Sequence, residues 1–558
     1  MEGPSGIVQQ QDTLNRYLLY FPRNKFVLPD VHSFTGEEEL SKPYRYTIRF
    51  TSPTPNIAIN DVLNQRAEFI LRAPNPKAGW HNQDPWLPVR QINGAITSFA
   101  RLKSSADEAL YECVLEHELA LLDRNYRSAV YMDMTVPELV TKLMKDSGHF
   151  QGYNVDFDQL SHSYPSREMI IQWKETDLQF IRRLLAEVGI WFRFENHDKV
   201  QGETVVIFGD GGRRYVFSNK QLPYVRHSGM TSHEEYVTEL EEQYQLIPEN
   251  VLVRTYNYRD PFSPQANKTI AGNDIPDGIT RGKQYHYADH FLAAGDFYGQ
   301  EAETASFYAR LRYERLLNKQ SVLGVTTSDP ELLPGVMFHP TGDIPDGFKP
   351  GFLVTTMTLS GSRAEHYRAI LKGIPYLNGY SYRPDSLQRP VIAGTVPGRV
   401  AAINRDPTYA GVDAQGRYRV KFDFDLDEKR DGFESALMRL GRPYGGVSSA
   451  VMAVPSLQVM PGRRWNVQTV LSLFSHFSAS RGWISPAGET LTSPSNKSLI
   501  ILNSTSLSTL CGSSEAGSLP LFLTSSCLSA SCVPAGTLAA QVAVLAHRIP
   551  AASKESVK

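Results

Sequence analysis

Residues Gln172 to Glu195 read QWKETDLQFIRRLLAEVGIWFRFE, and the fold is most legible there. Thr176 stands where a helix N-cap is expected, because its hydroxyl can accept from a backbone N–H at the start of the helix. Leu178, Ile181, Leu184, Leu185 and Val188 follow at helical spacing and form one apolar stripe. Gly189 then serves as the C′ residue, a position that favours left-handed backbone. Beyond it IWFRFE returns to strand spacing, with VVIFGD, Val205 to Asp210, as its expected partner. The stretch predicts a strand–helix–strand unit whose helix is packed.

Strand patterns dominate on both sides. RYLLYF, PYRYTIRFTSP, AEFILRA, INGAITSF and YECVLEHEL run from residue 16 to 119 with period two. SVLGVTT, GVMFHP, GFLVTTMTLS and HYRAILKGIPY follow between residues 321 and 376, and VLVRTYNYRDP begins at Val251. Two more helices are expected. One begins at Thr135 with Pro137 in its first turn and Val136, Leu139, Val140, Leu143 and Met144 on one face. The other spans roughly Phe297 to Leu317. The chain is therefore mainly β with some α.

Composition narrows the function. The 558 residues suggest several domains, and 41% hydrophobic with 21% charged residues suits a folded chain. A net charge of −2 gives no reason to expect nucleic acid, whose binders concentrate basic residues on one face. Of four cysteines, Cys113 alone precedes residue 500, so this is not a disulfide scaffold. The opening MEGPSGIVQQQDTLNR lacks a basic region followed by an apolar one, so no signal peptide is expected.

The sequence resembles the valine–glycine repeat protein G (VgrG) family, the spike of type VI secretion systems. The match opens near FTGEEELSKPYRYTIRFTSP, with Ser41, Pro43 and Tyr44. It is most specific at residues 172–195, where Glu175, Thr176, Asp177, Phe180, Arg183, Leu184, Gly189 and Ile190 fit the family pattern. A third match joins PVIAGTVPGRV to DAQGRYRVKFDFD and ALMRLGRPYGG. There Asp413, Gly416, Arg417, Val420, Phe422, Asp425, Arg439, Pro443 and Tyr444 fit, while Leu437 replaces a usual Trp. The resemblance covers residues 15–446.

It implies two hub β-barrels decorated by helices over residues 15–380, then an OB-fold over 381–446, after a flexible start at 1–14. It also implies a non-enzymatic homotrimer made in the bacterial cytoplasm and exported by the contractile machine. Its implied partners are a hexameric tube protein, effectors and adaptors, and the target-cell membrane on firing. A tip-sharpening protein would join only if a β-helix were present. No cofactor is implied. A phage-like contractile tail is the alternative setting, and a spike with a fused effector enzyme is a further one.

Residues that could carry chemistry are few. No G-x-S-x-G elbow, phosphate-binding loop or H-E-x-x-H run occurs. Cys113 sits in a strand pattern and reads as a buried structural residue. His286 and His290 are four apart in YHYADH. On a helix that spacing could hold a metal, but no third ligand accompanies them, and packing is the expected role. His233, Glu234 and Glu235 read as a solvated turn. Glu175 and Asp177 sit where acids complement the exposed N–H groups of a helix start. No residue is assigned to catalysis, cofactor or metal.

After Gly446 the character changes. Residues 447–558 hold 23 Ser and no Asp or Tyr, so the tail is expected to be irregular or disordered, and the OB-fold incomplete. Ala516 to Ala546 carries no charge, but its Ser, Thr and Ala content and Pro520 and Pro534 argue against a membrane span. Read one base earlier, Trp465 and Asn466 force a Glu codon. Permitted choices nearby then give Ala-Gly-Thr-Glu-Val, a segment the resembled family carries. A shifted reading frame and a short extension of unknown role are the two accounts of this tail.

Overall fold

The computed structural model describes residues 15–23, 27–75, 85–200, 202–225, 236–254, 268–272, 278–287, 301–376, 379–401, 417–429, 434–439, 469–473 and 500–503. Six strands open the chain: β1 (Tyr17–Tyr20), β2 (Asp30–Glu39), β3 (Lys42–Ser52), β4 (Arg66–Pro74), β5 (Trp86–Ser104) and β6 (Ala109–Glu116). A middle section holds β7 (Tyr126–Met134), helix α1 (Val136–Asp146), β8 (Val155–Asp156), β9 (Arg167–Thr176), helix α2 (Asp177–Val188), β10 (Trp191–Asn196) and β11 (Thr204–Gly209). Next come β12 (Val216–Pro223), β13 (Val237–Tyr244), β14 (Asn250–Arg254), β15 (Lys268–Gly272) and β16 (Lys283–Tyr287). Helix α3 (Ala305–Gln320) leads into β17 (Ser321–Thr327), β18 (Val336–Thr341), β19 (Phe352–Ser362) and β20 (Arg368–Pro375). The last strands are β21 (Gly394–Ala401), β22 (Arg417–Phe422), β23 (Met438–Arg439), β24 (Thr469–Leu473) and β25 (Ile500–Asn503).

The expected barrel regions are two strand groups of one sheet. Its order is β1-β4-β5-β6-β3-β2-β19-β20-β17-β13, with β18 on β19 and β12 on β18. Antiparallel pairing of β2 with β19, from Glu39↔Thr356 to Ser33↔Ser362, joins the groups. Alternation makes this workable, because one face of each strand supplies a common apolar layer. Ile48, Phe50 and Phe69 of the first group share a buried cluster with Leu323, Phe352 and Leu371 of the second.

Helices α1, α2 and α3 build a second core. Thr135 caps α1 through a capping box with Glu138, and Thr176 caps α2 with Gln179. Both apolar stripes are buried, together with Phe307, Leu311 and Tyr313 of α3. Helix α3 starts later than its composition suggests. Thr304 caps it by accepting from the Phe307 N–H, and Glu303 before it has φ +63°, so residues 301–304 do not continue the helix. Residues 297–300 lie outside the described residues.

The five-stranded sheet β23-β22-β21-β24-β25 is separate. Its β24 and β25 come from the Ser-rich tail: Gly394–Gly398 of β21 pairs with Thr469–Leu473, and β24 with β25. The sheet thus runs past residue 446, the bound expected for an incomplete OB-fold. The rest of 447–558 lies outside the described residues, including Ala516 to Ala546. No helix among the described residues is long and apolar enough to cross a membrane.

Candidate functional site

The stretch 172–195 is a junction on which the other parts of the chain converge. It starts from β9, which pairs antiparallel with β7. Period two sends alternate residues of β9 to opposite faces. Ile170 enters the helical core, beside Ala129 and Tyr131 of β7. Met169 and Ile171, with Val130, enter a different cluster made with Ile392, Val396, Val420, Phe422, Ala436 and Met438. Trp173 extends that contact by meeting Phe424 edge to face, with ring centroids 5.1 Å apart. One strand therefore packs against the helices on one side and against the OB-like segment on the other.

The turn from β9 into α2 is built from charge. Lys174 has φ +47°, and its N–H donates to the Ser128 hydroxyl at 3.0 Å, which turns the backbone before the helix. Glu175 and Asp177 stand at the helix start and are buried, 6% and 3% exposed. Glu175 takes a two-pronged contact from Arg183, Nε at 3.0 Å and Nη2 at 2.6 Å. Asp177 accepts from Arg127 at 3.0 Å, from Gln172 at 2.8 Å and from Asn125. Each carboxylate holds one guanidinium, as burial requires. Thr176 also donates to Asp123 at 2.7 Å.

At the far end, Gly189 has φ +75° and ψ +19°, as a left-handed C-terminal residue should. A Cβ there would fall 2.1 Å from Leu311 of α3, so glycine is needed for close approach as well. Its carbonyl accepts from Arg383 at 2.9 Å. Ile190 and Phe180 are fully buried. The β2–β3 hairpin reaches the same place. Ser41, at φ +67° in its turn, donates its N–H to the Phe192 carbonyl at 2.9 Å, and its own carbonyl accepts from Arg182 at 3.0 Å.

A chain of buried ions locks these parts together. Arg167, 1% exposed, donates Nε to both oxygens of Glu303 at 3.1 Å and sets Nη2 3.0 Å from Glu187. Glu187 is also 2.7 Å from Arg389. Arg383 meets Glu314 of α3. These partners lie more than a hundred residues apart in several cases, so no local pattern marks them. Only Glu187 stands in the motif itself.

Two histidines contact residues at the two ends of β11, Thr204 and Asp210. His117 is fully buried; Nδ1 accepts from the Leu119 N–H at 3.0 Å, and Nε2 lies 2.8 Å from the Thr204 hydroxyl. Burial pushes its pKa down to about 3, so it is neutral. His162 lies 3.0 Å from Asp210. Burial would raise the Asp210 carboxyl, but hydrogen bonds from the His162 ring and the Ser161 and His162 amides bring it down to about 2.

Cys113 is buried in β6, and burial pushes its thiol well up. His286 lies in strand β16, not on a helix, because that segment pairs parallel with β14 at Val253↔His286. His290, His233, Glu234 and Glu235 lie outside the described residues. Among the described residues no group of three or more His, Cys, Asp or Glu could hold a metal. Arg417 and Arg439 are register partners across β22 and β23. Asp413, Gly416 and Pro443 lie outside the described residues.

Comparison with known proteins points to one family. Residues 37–365 match the family described as phage tail baseplate hub (GPD). The chain is 24% identical over 459 residues to the type VI secretion system spike protein VgrG2a of Pseudomonas aeruginosa, across 77% of this chain and 49% of that protein. It is 23% identical over 445 residues to the spike protein VgrG3 of Vibrio cholerae, across 76% and 41%. It thus spans half or less of those relatives' length. A solved structure, the E. coli c3393 protein, is 28% identical with a TM-score of 0.58. The likeness covers 87% of this chain and 99% of that one. That protein is reported as a component of the type VI secretion system similar to T4 bacteriophage tail proteins gp27 and gp5.

Proposed function

Since the chain belongs to the phage tail baseplate hub family and to its VgrG group, a spike or hub role in a type VI secretion system is its function class, and we propose the following way of working. Three copies assemble into a hub seated on a hexameric tube. Contraction drives tube and hub outward through a target membrane, with effectors carried on or beneath the hub. The chain is made in the cytoplasm and leaves by that machine. It works mechanically and catalyses nothing. Its hub spans residues 15–380, and an OB-like region begins at 381.

The observation that carries this reading is the two-faced burial of β9. Thrust on the OB-like region would meet Ile171 and Trp173 and pass directly into α2, β10 and the joined sheet. A part that must transmit force needs such continuous packing, since close-packed interiors transmit strain. The family-motif residues Glu175, Thr176, Asp177, Phe180, Gly189 and Ile190 have this structural role. The test is genetic. In a strain lacking every other spike gene of this type, deleting this gene should abolish release of the tube protein, and restoring it should recover release. Undiminished release after deletion would contradict the proposal.

A further inference from the structure

A cavity of about 270 Å³ lies between α2, α3 and the connector that leads from the hub toward β21. Arg183 and Glu187 of α2 line it, with Tyr308, Arg312 and Arg315 of α3 and Arg389 of the connector. Four of these six side chains are guanidinium groups, which stay charged at any ordinary pH. Glu187 is the carboxylate that lines the cavity among the described residues, and it is shared. Its oxygens lie 2.7 Å from Arg389, 3.0 Å from Arg167 and 3.9 Å from Arg183.

A second observation is independent of charge. Tyr308 is 7% exposed, and its hydroxyl has no hydrogen-bond partner. Nη1 of Arg389 is likewise shut from solvent and without a partner. Buried donors without acceptors are rare, because each forfeits the water it left. Burial also pushes the Tyr308 pKa up, so its O–H persists as a donor. Meanwhile Arg315 is fixed in place, since Nε donates to the Pro384 carbonyl at 2.9 Å. Glu187 Oε1 on the same wall is also without a hydrogen bond, so the wall is preformed and cationic, with several donors facing one carboxylate.

We propose that this cavity binds a tetrahedral oxyanion of the phosphate class, held by Arg389, the Tyr308 hydroxyl and the surrounding guanidinium groups. Such an anion supplies acceptors in several directions at once, which suits donors converging from two helices and a connector. Bound there, it ties α2 and α3 to the connector and stiffens the path from hub to OB-like region. The ligand is either free phosphate or the phosphomonoester group of a larger metabolite.

Isothermal titration of the full-length protein with inorganic phosphate at constant ionic strength tests this. One saturable site per chain is expected, with a matching rise in melting temperature that chloride does not produce. Arg389→Gln should abolish binding. Because that change also unpairs Glu187, Tyr308→Phe is the decisive variant: it keeps the ring and should weaken binding roughly tenfold or more. Glycerol 3-phosphate distinguishes the sources. Equal or tighter binding supports a phosphomonoester, and exclusion supports the free anion. No saturable phosphate binding would overturn the proposal, as when an acidic side chain of a neighbouring copy fills the cavity. Unchanged affinity in Tyr308→Phe would overturn it as well.

Discussion

His117 shows what single residues add to this fold. Its Nδ1 must keep a lone pair for the Leu119 N–H, and its Nε2 lies at the Thr204 hydroxyl, so only the neutral ring fits both. The folded pKa of about 3 lies below the ordinary histidine value of 6.5. The unfolded chain therefore binds the proton first as pH falls. The stability this difference contributes is fully present above about pH 6.5 and is lost as pH falls toward 3, by up to about 1.4 kcal/mol per pH unit. His117→Asn can keep an acceptor for the Leu119 N–H and cannot titrate. Urea unfolding at pH 7 and pH 5 should show a shallower pH dependence for that variant than for the parent. Equal slopes would mean that His117 does not stay neutral when folded. Local chemistry of this kind is also where sequence reading succeeds. Thr135, Thr176 and Gly189 were readable because a cap acts within four residues of itself. The partners of Arg167 were not: Glu303 is 136 residues away, and Glu187 serves three arginines. The helix-start position of Glu175 and Asp177 likewise says nothing of Arg183 and Arg127 closing over them.

Among elements, β9 and α2 matter most, and their faces can be tested against each other. Leu184 is fully buried in the helical core, whereas Ile171 faces the OB-like cluster. Leu184→Ala should cost about 2–5 kcal/mol of hub stability, as cavity-creating changes do. Ile171→Asp places a charge in the second interface. It should expose residues 381–439 to protease at low enzyme concentration while the hub core resists. If both variants gave the same fragments, β9 would not divide two separable packing faces. Element type was legible wherever periodicity ran unbroken, as in SVLGVTT, which is β17 residue for residue. It failed where a helix-like composition met a hidden stop. Glu303 takes left-handed backbone, its carboxylate meets Arg167, and Thr304 starts α3 behind it. In YHYADH the sequence specified no element, and its first residues pair with β14 as a parallel strand.

On the scale of the whole molecule, the sequence showed the hub-like region but not how its parts join. Pairing of β2 with β19 links residues more than three hundred positions apart, and no pattern in either strand specifies that partner. Nor did the tail's composition foretell that Thr469–Leu473 would pair with β21. The proposed threefold hub is compatible with a hexameric tube, because a sixfold axis contains a threefold one. Light scattering on the purified full-length protein at micromolar concentration tests it most directly. Three copies of the 62.5 kDa chain, a mass of about 188 kDa, are expected. A single species at the mass of one chain would contradict the threefold hub.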